Sequence, residues 1–317
     1  MRTRQDPFKP KPTGQRVKGT RRQLALLSAF TKYEVLPSRY LQALSGTPEY
    51  TQDLITLLNT EGYIRIPAPS MRRLDARNKH ALWEGTDKGE KLLGQKFRRE
   101  GDHFAHKAHR TVARFSFDIS TTEIPGLVRR TLADILADER CPADTRYDEP
   151  HTFTVDGYRV IPDEALSGFR LNGRSFYFFF EADGGTETRI PTTPSAYRKK
   201  NIAKMISSYS VFFRSKGHRT RYGLANIAVL IIAKNETDKR SILKVIESLV
   251  PKELWRQFGL RVVPDFTEGF PPPTGHLVTE DWETVDGTLN ILKILGDVNG
   301  ASNARQNSPS HRTETGN

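Results

Sequence analysis

Two segments of the chain carry acidic residues directly after apolar runs. The first is Val160-Ile161-Pro162-Asp163, and the second is Phe178-Phe179-Phe180-Glu181-Ala182-Asp183. A carboxylate beside an apolar sheet costs several kcal/mol of desolvation unless a cation or hydrogen-bond donors compensate it. The pattern therefore predicts a Mg²⁺ site held by Asp163 and Glu181. The alternative is that these are ordinary strand ends, whose acids are solvated or cap helices.

The turn between the two strands decides which residues face each other. A two-residue turn at Asn172-Gly173 would set Asp163 opposite Ala182 and send the acids to opposite faces of the sheet. A three-residue loop, with Gly173 in a bulge, would set Asp163 opposite Glu181, with β-carbons about 4.5–5.5 Å apart. Leu171-Asn172-Gly173 suits the three-residue loop. The metal hypothesis depends on that turn.

The elements that must position these acids follow from hydrophobic periodicity after Pro125. We expect an α/β sheet flanked by helices, because helices and strands alternate along this part of the chain. The expected elements are a helix over 127–136, strands Tyr158–Leu166 and Arg174–Asp183, a helix Tyr197–Lys216, a strand Asn226–Ala233, a helix Ser241–Leu249 and a strand Gly259–Val263.

The region between Arg22 and Gln95 has a different pattern, with three short helices, a strand pair and a closing helix. The third helix begins at Thr47-Pro48, a capping pair, and stops at Gly62. Helix, helix, tight turn and helix form a helix-turn-helix. The strand Tyr63–Pro67, a basic turn and a return strand then predict a wing, so we expect a winged helix whose third helix enters the major groove of DNA.

Two sets of residues are candidates for contact with DNA. The third helix offers polar residues without Arg or Lys, so we expect weak base reading there and backbone contacts from the wing. A winged helix used only for protein contacts is the alternative. The candidates are Gln52, Thr56 and Asn59 on the helix, and Arg65, Arg72, Arg73, Arg77 and Lys79 in the wing.

The net charge of the chain also favours DNA as a partner. The net charge is +12 and the isoelectric point is near 9.7, an excess that favours a polyanion such as double-stranded DNA over a basic protein with no such partner. Residues 1–22 form a basic arm that either tracks phosphates or only solubilises the chain. Cys141 is the single cysteine, so a reducing cytoplasm is expected. The sequence has no membrane span or signal peptide, so no membrane partner is expected.

Three histidines, His103, His106 and His109, invite a second metal hypothesis. On a helix, the first and third of them diverge by about 240°, so three ligands cannot converge. We expect a solvated or phosphate-contacting helix instead.

The motifs together resemble the replication-relaxation protein family. The resemblance rests on Pro162-Asp163, on Glu181-x-Asp183-x-Gly185-Thr186-Glu187, and on Lys204 with Tyr209, all behind a winged helix. It covers roughly Leu24 to Asn235. The family is associated with plasmids and other mobile elements, and its second domain is similar to the PD-(D/E)XK nuclease fold.

The resemblance implies roles for individual residues. Asp163 and Glu181 match the metal-binding acids of the nuclease pattern. Asp183 departs from it, because the pattern usually has Lys at this position. Lys204, or less favourably Lys200, would supply the missing charge from the following helix. The catalytic candidates are thus Asp163, Glu181, Asp183 and Lys204.

The sequence as a whole predicts an α+β or α/β chain, with a winged helix-turn-helix followed by a restriction-endonuclease-like mixed sheet flanked by helices. The leading hypothesis is a Mg²⁺-dependent DNA nuclease or nickase, and the rival is a non-catalytic replication or transcription accessory factor. Replication or mobilisation proteins and a second copy of the chain are further partners to test. The expected layout is a disordered arm over 1–22, a winged helix over 23–95, a helical linker over 96–124, a nuclease-like domain over 125–290 and a disordered tail over 291–317.

Overall fold

The computed structural model describes residues 10–45, 48–67, 82–98, 104–142, 151–183, 201–263 and 273–296. None of the described helices is both long and apolar enough to cross a membrane.

The N-terminal unit combines helices with a small antiparallel sheet. Thr20 and Gln23 form a capping box that starts its first helix, and Gly62, with a φ of 76°, follows its third. The strands lie in the order β1-β3-β2. Three helices, two strands and a closing helix were predicted, and β1 was not. The elements are α1 (Arg21–Lys32), β1 (Leu36–Pro37), α2 (Ser38–Ser45), α3 (Pro48–Thr60), β2 (Ile64–Arg65), β3 (Leu82–Gly85) and α4 (Asp87–Leu93).

The predicted basic arm is shorter than expected. Thr13 donates two hydrogen bonds to the carboxylate of Glu61, from its backbone nitrogen at 2.9 Å and from its hydroxyl at 2.6 Å. Val17 is buried, and α1 begins at Arg21 within the predicted arm. Disorder over all of 1–22 was therefore a wrong prediction, because polar and apolar contacts hold residues 13–17 against the N-terminal unit.

Helix α5 (Phe104–Glu123) fills the predicted linker. Phe115 lies 4.4 Å from Tyr40 of the N-terminal unit, measured between ring centroids. Phe117 lies 5.0 Å from Phe178 of the large sheet. The two phenylalanines are two positions apart and so point to opposite sides of the helix. Helix α5 is therefore a shared core element between the N-terminal unit and the sheet.

Helix α5 is also less solvated than the sequence suggested. His109, Arg110 and Arg114 are all buried, so the expectation of a solvated or phosphate-contacting helix was wrong for this part of it. The reason is that acidic side chains from the N-terminal unit and from the large sheet compensate the arginines. His103 lies outside the described residues.

The second half of the described chain forms a mixed seven-stranded sheet flanked by helices, in the order β12-β11-β10-β9-β8-β7-β4. Strands β8, β9 and β10 are parallel, and the remaining neighbours are antiparallel. Strand β9 is buried along its whole length, as expected for a central parallel strand covered on both faces. The elements are β4 (Val128–Arg130), α6 (Leu132–Leu136), β5 (Phe153–Val155), β6 (Tyr158–Val160), β7 (Glu164–Leu171), β8 (Arg174–Ala182), α7 (Ile202–Arg214), α8 (Gly217–Tyr222), β9 (Ala228–Ala233), α9 (Glu236–Leu249), a 3₁₀ helix (Lys252–Gln257), β10 (Phe258–Val262), α10 (His276–Thr279), β11 (Trp282–Thr284), β12 (Gly287–Leu289) and α11 (Ile291–Leu295).

Two predicted elements differ from the structure. The helix expected over 127–136 is edge strand β4 followed by the short helix α6, which starts where Thr131 and Asp134 form a capping box. The strand expected over Tyr158–Leu166 is divided. Its first part pairs with β5 in a separate two-stranded sheet, and Pro162, which has no backbone N–H to donate, lies at the break before β7.

The C-terminal elements extend further than predicted. Strands β11 and β12 add to the sheet beyond β10. Helix α11 buries Ile291, Leu292 and Leu295. A disordered tail from residue 291 was thus a wrong prediction for 291–296, because these apolar side chains complete the core. Residues 297–317 lie outside the described part of the chain.

Candidate functional site

The register of β7 and β8 brings the two predicted acids to the same edge of the sheet. The hairpin is closed by a two-residue turn, with Leu171 opposite Arg174 and positive φ at both Asn172 and Gly173. The three-residue loop expected there was a wrong prediction. An irregularity between Glu164 and Ser167 then shifts the pairing by one residue, so that Glu164 lies opposite Phe180. Continuing this pairing by one residue would place Asp163 opposite Glu181.

Protein groups hold both oxygens of the Asp163 carboxylate. The backbone N–H of Ala182 donates to Oδ2 at 2.7 Å, and Nε2 of His106 lies 3.2 Å from Oδ1. Nδ1 of the same histidine lies 2.9 Å from the carbonyl oxygen of Ala182. His106 thus bridges Asp163 and the end of β8. Sequence reasoning missed it, since only spacing along one helix was considered and not the strand opposite.

Glu181 is buried beneath helix α7. The hydroxyl of Tyr209 donates a hydrogen bond of 2.6 Å to its Oε1. Burial raises the pKa of Tyr209 well above its ordinary value, and the charges of Glu181 and then Asp163 raise it further. Both acids therefore act on the same hydroxyl. We name Asp163, Glu181, Tyr209 and His106 the acid cluster.

The other two catalytic candidates have different surroundings. Asp183 is buried, and its backbone N–H donates to Ile232 at 2.8 Å, continuing the pairing of β8 with β9. The ammonium of Lys204 lies 4.1 Å from the ring centroid of Tyr158. The contacts of the described residues include no ion pair between Lys204 and an acid of the cluster. The structure therefore does not support the convergence of Lys204 on the acids that the resemblance implied.

The acid cluster suits Mg²⁺ in the type of its atoms but not in their arrangement. Carboxylate oxygens are the protein ligands that Mg²⁺ prefers. Both oxygens of Asp163 and one of Glu181 are already bound to protein donors. Within the described ranges, no group of three His, Cys, Asp or Glu side chains is placed to hold a metal ion. The cluster as it stands does not fit the ion.

A buried ion network joins the acid cluster to the N-terminal unit. Glu34, which lies between α1 and β1, is 3.0 Å from Arg110, 3.6 Å from Arg98 and 3.7 Å from Arg114. Arg114 also pairs with Glu164, the residue after Asp163. Burial lowers the pKa of Arg114, and the charge of Glu164 opposes that shift. The network fixes α5 against both parts of the fold.

The predicted DNA-contacting residues of α3 divide into two groups. Gln52 and Thr56 are exposed, as expected. Asn59 is buried, so its assignment to an exposed face was wrong. The C-terminal end of α3 is covered, because Glu61 is also buried and accepts the two hydrogen bonds from Thr13.

In the wing, Arg65 is exposed and pairs with Glu84 across β2 and β3 at 2.6 Å. Arg72, Arg73, Arg77 and Lys79 lie outside the described residues.

Arg22 is an exposed cation near the start of α3. On sequence alone it was assigned to the basic arm over 1–22 and not to the residues that contact DNA. The guanidinium of Arg22 lies 4.8 Å from the ring centroid of Tyr50, and the ring is about half exposed. Tyr50 is two residues before Gln52. Residues two positions apart point to opposite sides of a helix, so the Arg22–Tyr50 pair adds a cation near the start of α3 but on a different side from Gln52, and an Arg at the start of α1 was the signal for it.

Comparison with solved structures finds the restriction endonuclease FokI. One FokI structure is 10% identical over 78% of this chain and 42% of the FokI chain, with a TM-score of 0.28. A structure of FokI bound to DNA is 9% identical over 77% of this chain and 42% of that one, with a TM-score of 0.23. This chain thus spans about two fifths of the FokI chains. A likeness of this degree supports no conclusion about function.

No protein-family model matches the chain. No curated protein matches it significantly. The resemblance to the replication-relaxation family therefore rests on the motif residues alone.

Proposed function

We propose that this chain is a DNA-binding protein whose N-terminal unit is a winged helix that binds double-stranded DNA. The observation that carries the proposal is the exposed face of α3, where Gln52 and Thr56 lie one helical turn apart, with the Arg22–Tyr50 pair at the start of the same helix. Polar side chains of this kind bond to base edges, and arginines at the rim of such a face contact phosphate. The order of helices and strands around α3 is that of winged-helix units.

The segment before α1 supplies further charge for phosphate contacts. Arg16, Lys18, Arg21 and Arg22 are exposed, and no ion pair to an acid appears for them in the described part of the chain. Exposed cations without acidic neighbours release counterions from DNA when they bind it. We expect them to strengthen binding on all sequences alike.

Arg22→Ala tests this assignment. Loss of one phosphate contact should weaken the affinity for duplex DNA by a similar factor on unrelated sequences and reduce the salt dependence of binding. Arg214→Ala is the matched control, because Arg214 is exposed at the end of α7. Fluorescence anisotropy with two unrelated duplexes measures both. Equal affinities of the two variants would contradict the placement of DNA on α3.

Metal-dependent DNA cleavage is the second candidate, as a nuclease or nickase. The observation that favours it is the meeting of Asp163 and Glu181 at one edge of the sheet, around the hydroxyl of Tyr209. Because His106 and Ala182 already hold both oxygens of Asp163, this activity requires the cluster to rearrange. Without that change the acid cluster is structural, and the chain is a non-catalytic accessory factor.

A plasmid-nicking assay with Mg²⁺ or Mn²⁺ separates the two candidates. Cleavage that is stopped by EDTA and abolished by Asp163→Asn and Glu181→Gln would establish the second candidate. Lys204→Ala should then retain most activity, since its ammonium lies on Tyr158. A strong loss in Asp183→Asn would make Asp183 a further ligand. Absence of cleavage with every metal would leave DNA binding as the function.

The resemblance to the replication-relaxation family suggests the setting. We propose that the chain acts in the cytoplasm, on the DNA of plasmids or other mobile elements, with replication or mobilisation proteins as partners. Light scattering on the purified protein, alone and with duplex DNA, would show whether it binds as a monomer or a homodimer. Recovery of plasmid DNA with the protein from cells would support this setting, and recovery of chromosomal DNA alone would oppose it.

A further inference from the structure

His106 belongs to a closed ring of three contacts at the end of β8. Its Nδ1 faces the carbonyl oxygen of Ala182 at 2.9 Å, and its Nε2 faces Oδ1 of Asp163 at 3.2 Å. The N–H of Ala182 completes the ring by donating to Oδ2 of Asp163 at 2.7 Å. A carbonyl oxygen and a carboxylate oxygen only accept hydrogen bonds, so both ring nitrogens must donate, which is the imidazolium form of His106. The imidazole thus has a defined orientation.

Helix α5 fixes the histidine in that orientation. His106, Arg110 and Arg114 are spaced by four residues, which places them along one side of a helix. Arg110 is anchored 3.0 Å from Glu34, and Arg114 pairs with Glu164. The same side of α5 therefore contacts two consecutive residues of the sheet edge, Asp163 and Glu164.

Asp163 needs such support because of its place in the chain. It lies between β6 and β7 and belongs to neither strand. Side-chain contacts, rather than strand pairing, therefore fix its carboxylate. A quarter of the His106 side chain is exposed, so the ring of contacts lies close to the surface, where a ligand of the acid cluster would arrive.

We propose that His106 is a positioning residue of the acid cluster, holding the carboxylate of Asp163 against the end of β8 and beside Tyr209. The proposal rests on the acid cluster being the functional site, but the position of the carboxylate is measurable whether or not the protein cleaves DNA. Through α5, the same residue connects that position to the N-terminal unit.

Amide hydrogen exchange at Ala182 tests the proposal, because this N–H donates directly to Asp163. In the full chain, His106→Ala should raise the exchange rate of this amide by about tenfold, the effect of one lost hydrogen bond. His106→Gln keeps a side-chain N–H donor and should stay within about threefold of wild type. Lys107→Ala is the matched control, since Lys107 is the next residue on α5 and is half-buried.

Two results would overturn the proposal. One is equal exchange at Ala182 in His106→Ala and Lys107→Ala. The other is a Gln variant as fast as the Ala variant, because the hydrogen bonds would then not explain the effect. If wild type does not nick DNA, the cleavage candidate fails and the exchange result still decides the role of His106.

Discussion

Glu34→Gln removes a carboxylate that three arginines contact in the buried network. The side chain of Glu34 is only 2% exposed, and the guanidinium nitrogens of Arg110, Arg98 and Arg114 lie 3.0, 3.6 and 3.7 Å from its Oε1. At an effective dielectric constant of about 20, each pair at such a distance has roughly 4.5–5.5 kcal/mol of gross attraction. Desolvation offsets much of that sum.

The net loss in the free energy of unfolding depends on the arginine charges that remain after Glu34 is replaced. Breaking a buried pair by removing one partner costs about 3–5 kcal/mol, since the buried charge left behind loses a compensating carboxylate. Gln keeps a polar oxygen beside Arg110, which places the expected loss near the lower end, about 3 kcal/mol. At roughly 3 °C per kcal/mol, the melting temperature should fall by about 10 °C.

Thermal unfolding followed by circular dichroism measures the effect. Glu84→Gln is the matched control, because Glu84 pairs with the exposed Arg65 and a surface pair contributes about 0–1 kcal/mol. Its melting temperature should fall by no more than about 3 °C. If both variants melt within about 2 °C of wild type, the buried network does not stabilise the fold and the reasoning is wrong.

Three further predictions concern other parts of the fold. Gln52→Ala should weaken duplex binding without changing the melting temperature, whereas Asn59→Ala should lower the melting temperature, because Asn59 is buried; the reverse pattern would exchange their roles. Tyr209→Phe removes a buried hydrogen bond to a carboxylate and should cost about 2 kcal/mol in denaturant unfolding, and an unchanged midpoint would contradict that contact. Burial raises the pKa values of Tyr33, Tyr40 and Tyr209, so the folded state binds their protons more tightly than the unfolded chain. These three groups should therefore leave stability unaffected below about pH 10 and lower it above that pH by up to about 1.4 kcal/mol per pH unit for each group. Ionisation of all ten tyrosines near pH 10 in the folded state, measured by absorbance at 295 nm, would refute this.

Hydrophobic periodicity predicted the central strands of the large sheet, because each of these strands is a continuous apolar run within one segment of the sequence. The apolar run ending at Ala233 forms β9, and the run ending at Ala182 forms β8. The Thr47-Pro48 pair and Gly62 likewise predicted the bounds of α3, which runs from Pro48 to Thr60. The edge strand β4 was misread as a helix, since Val128 and Leu132 also fit helical spacing and only pairing with β7 favours a strand.

The acid cluster was predictable in part. Asp163 and Glu181 stand out because carboxylates after apolar runs are costly. The irregularity in β7 that brings them together has no sequence signal of its own. His106 and the Glu34 network depend on contacts across more than fifty residues of chain, which spacing along one helix cannot reveal. The contact of Glu61, just after α3, likewise depends on the distant segment at Thr13.

The salt dependence of duplex binding tests the central claim, DNA binding by the N-terminal unit, most directly. For wild type, the logarithm of the association constant should fall linearly with the logarithm of salt concentration, with a slope of about −0.9 for each phosphate contact. Replacing Arg16, Lys18, Arg21 and Arg22 with Ala should flatten that slope by about 3 to 4. A wild-type protein that does not bind duplex DNA at low salt, or a variant with an unchanged slope, would contradict the claim.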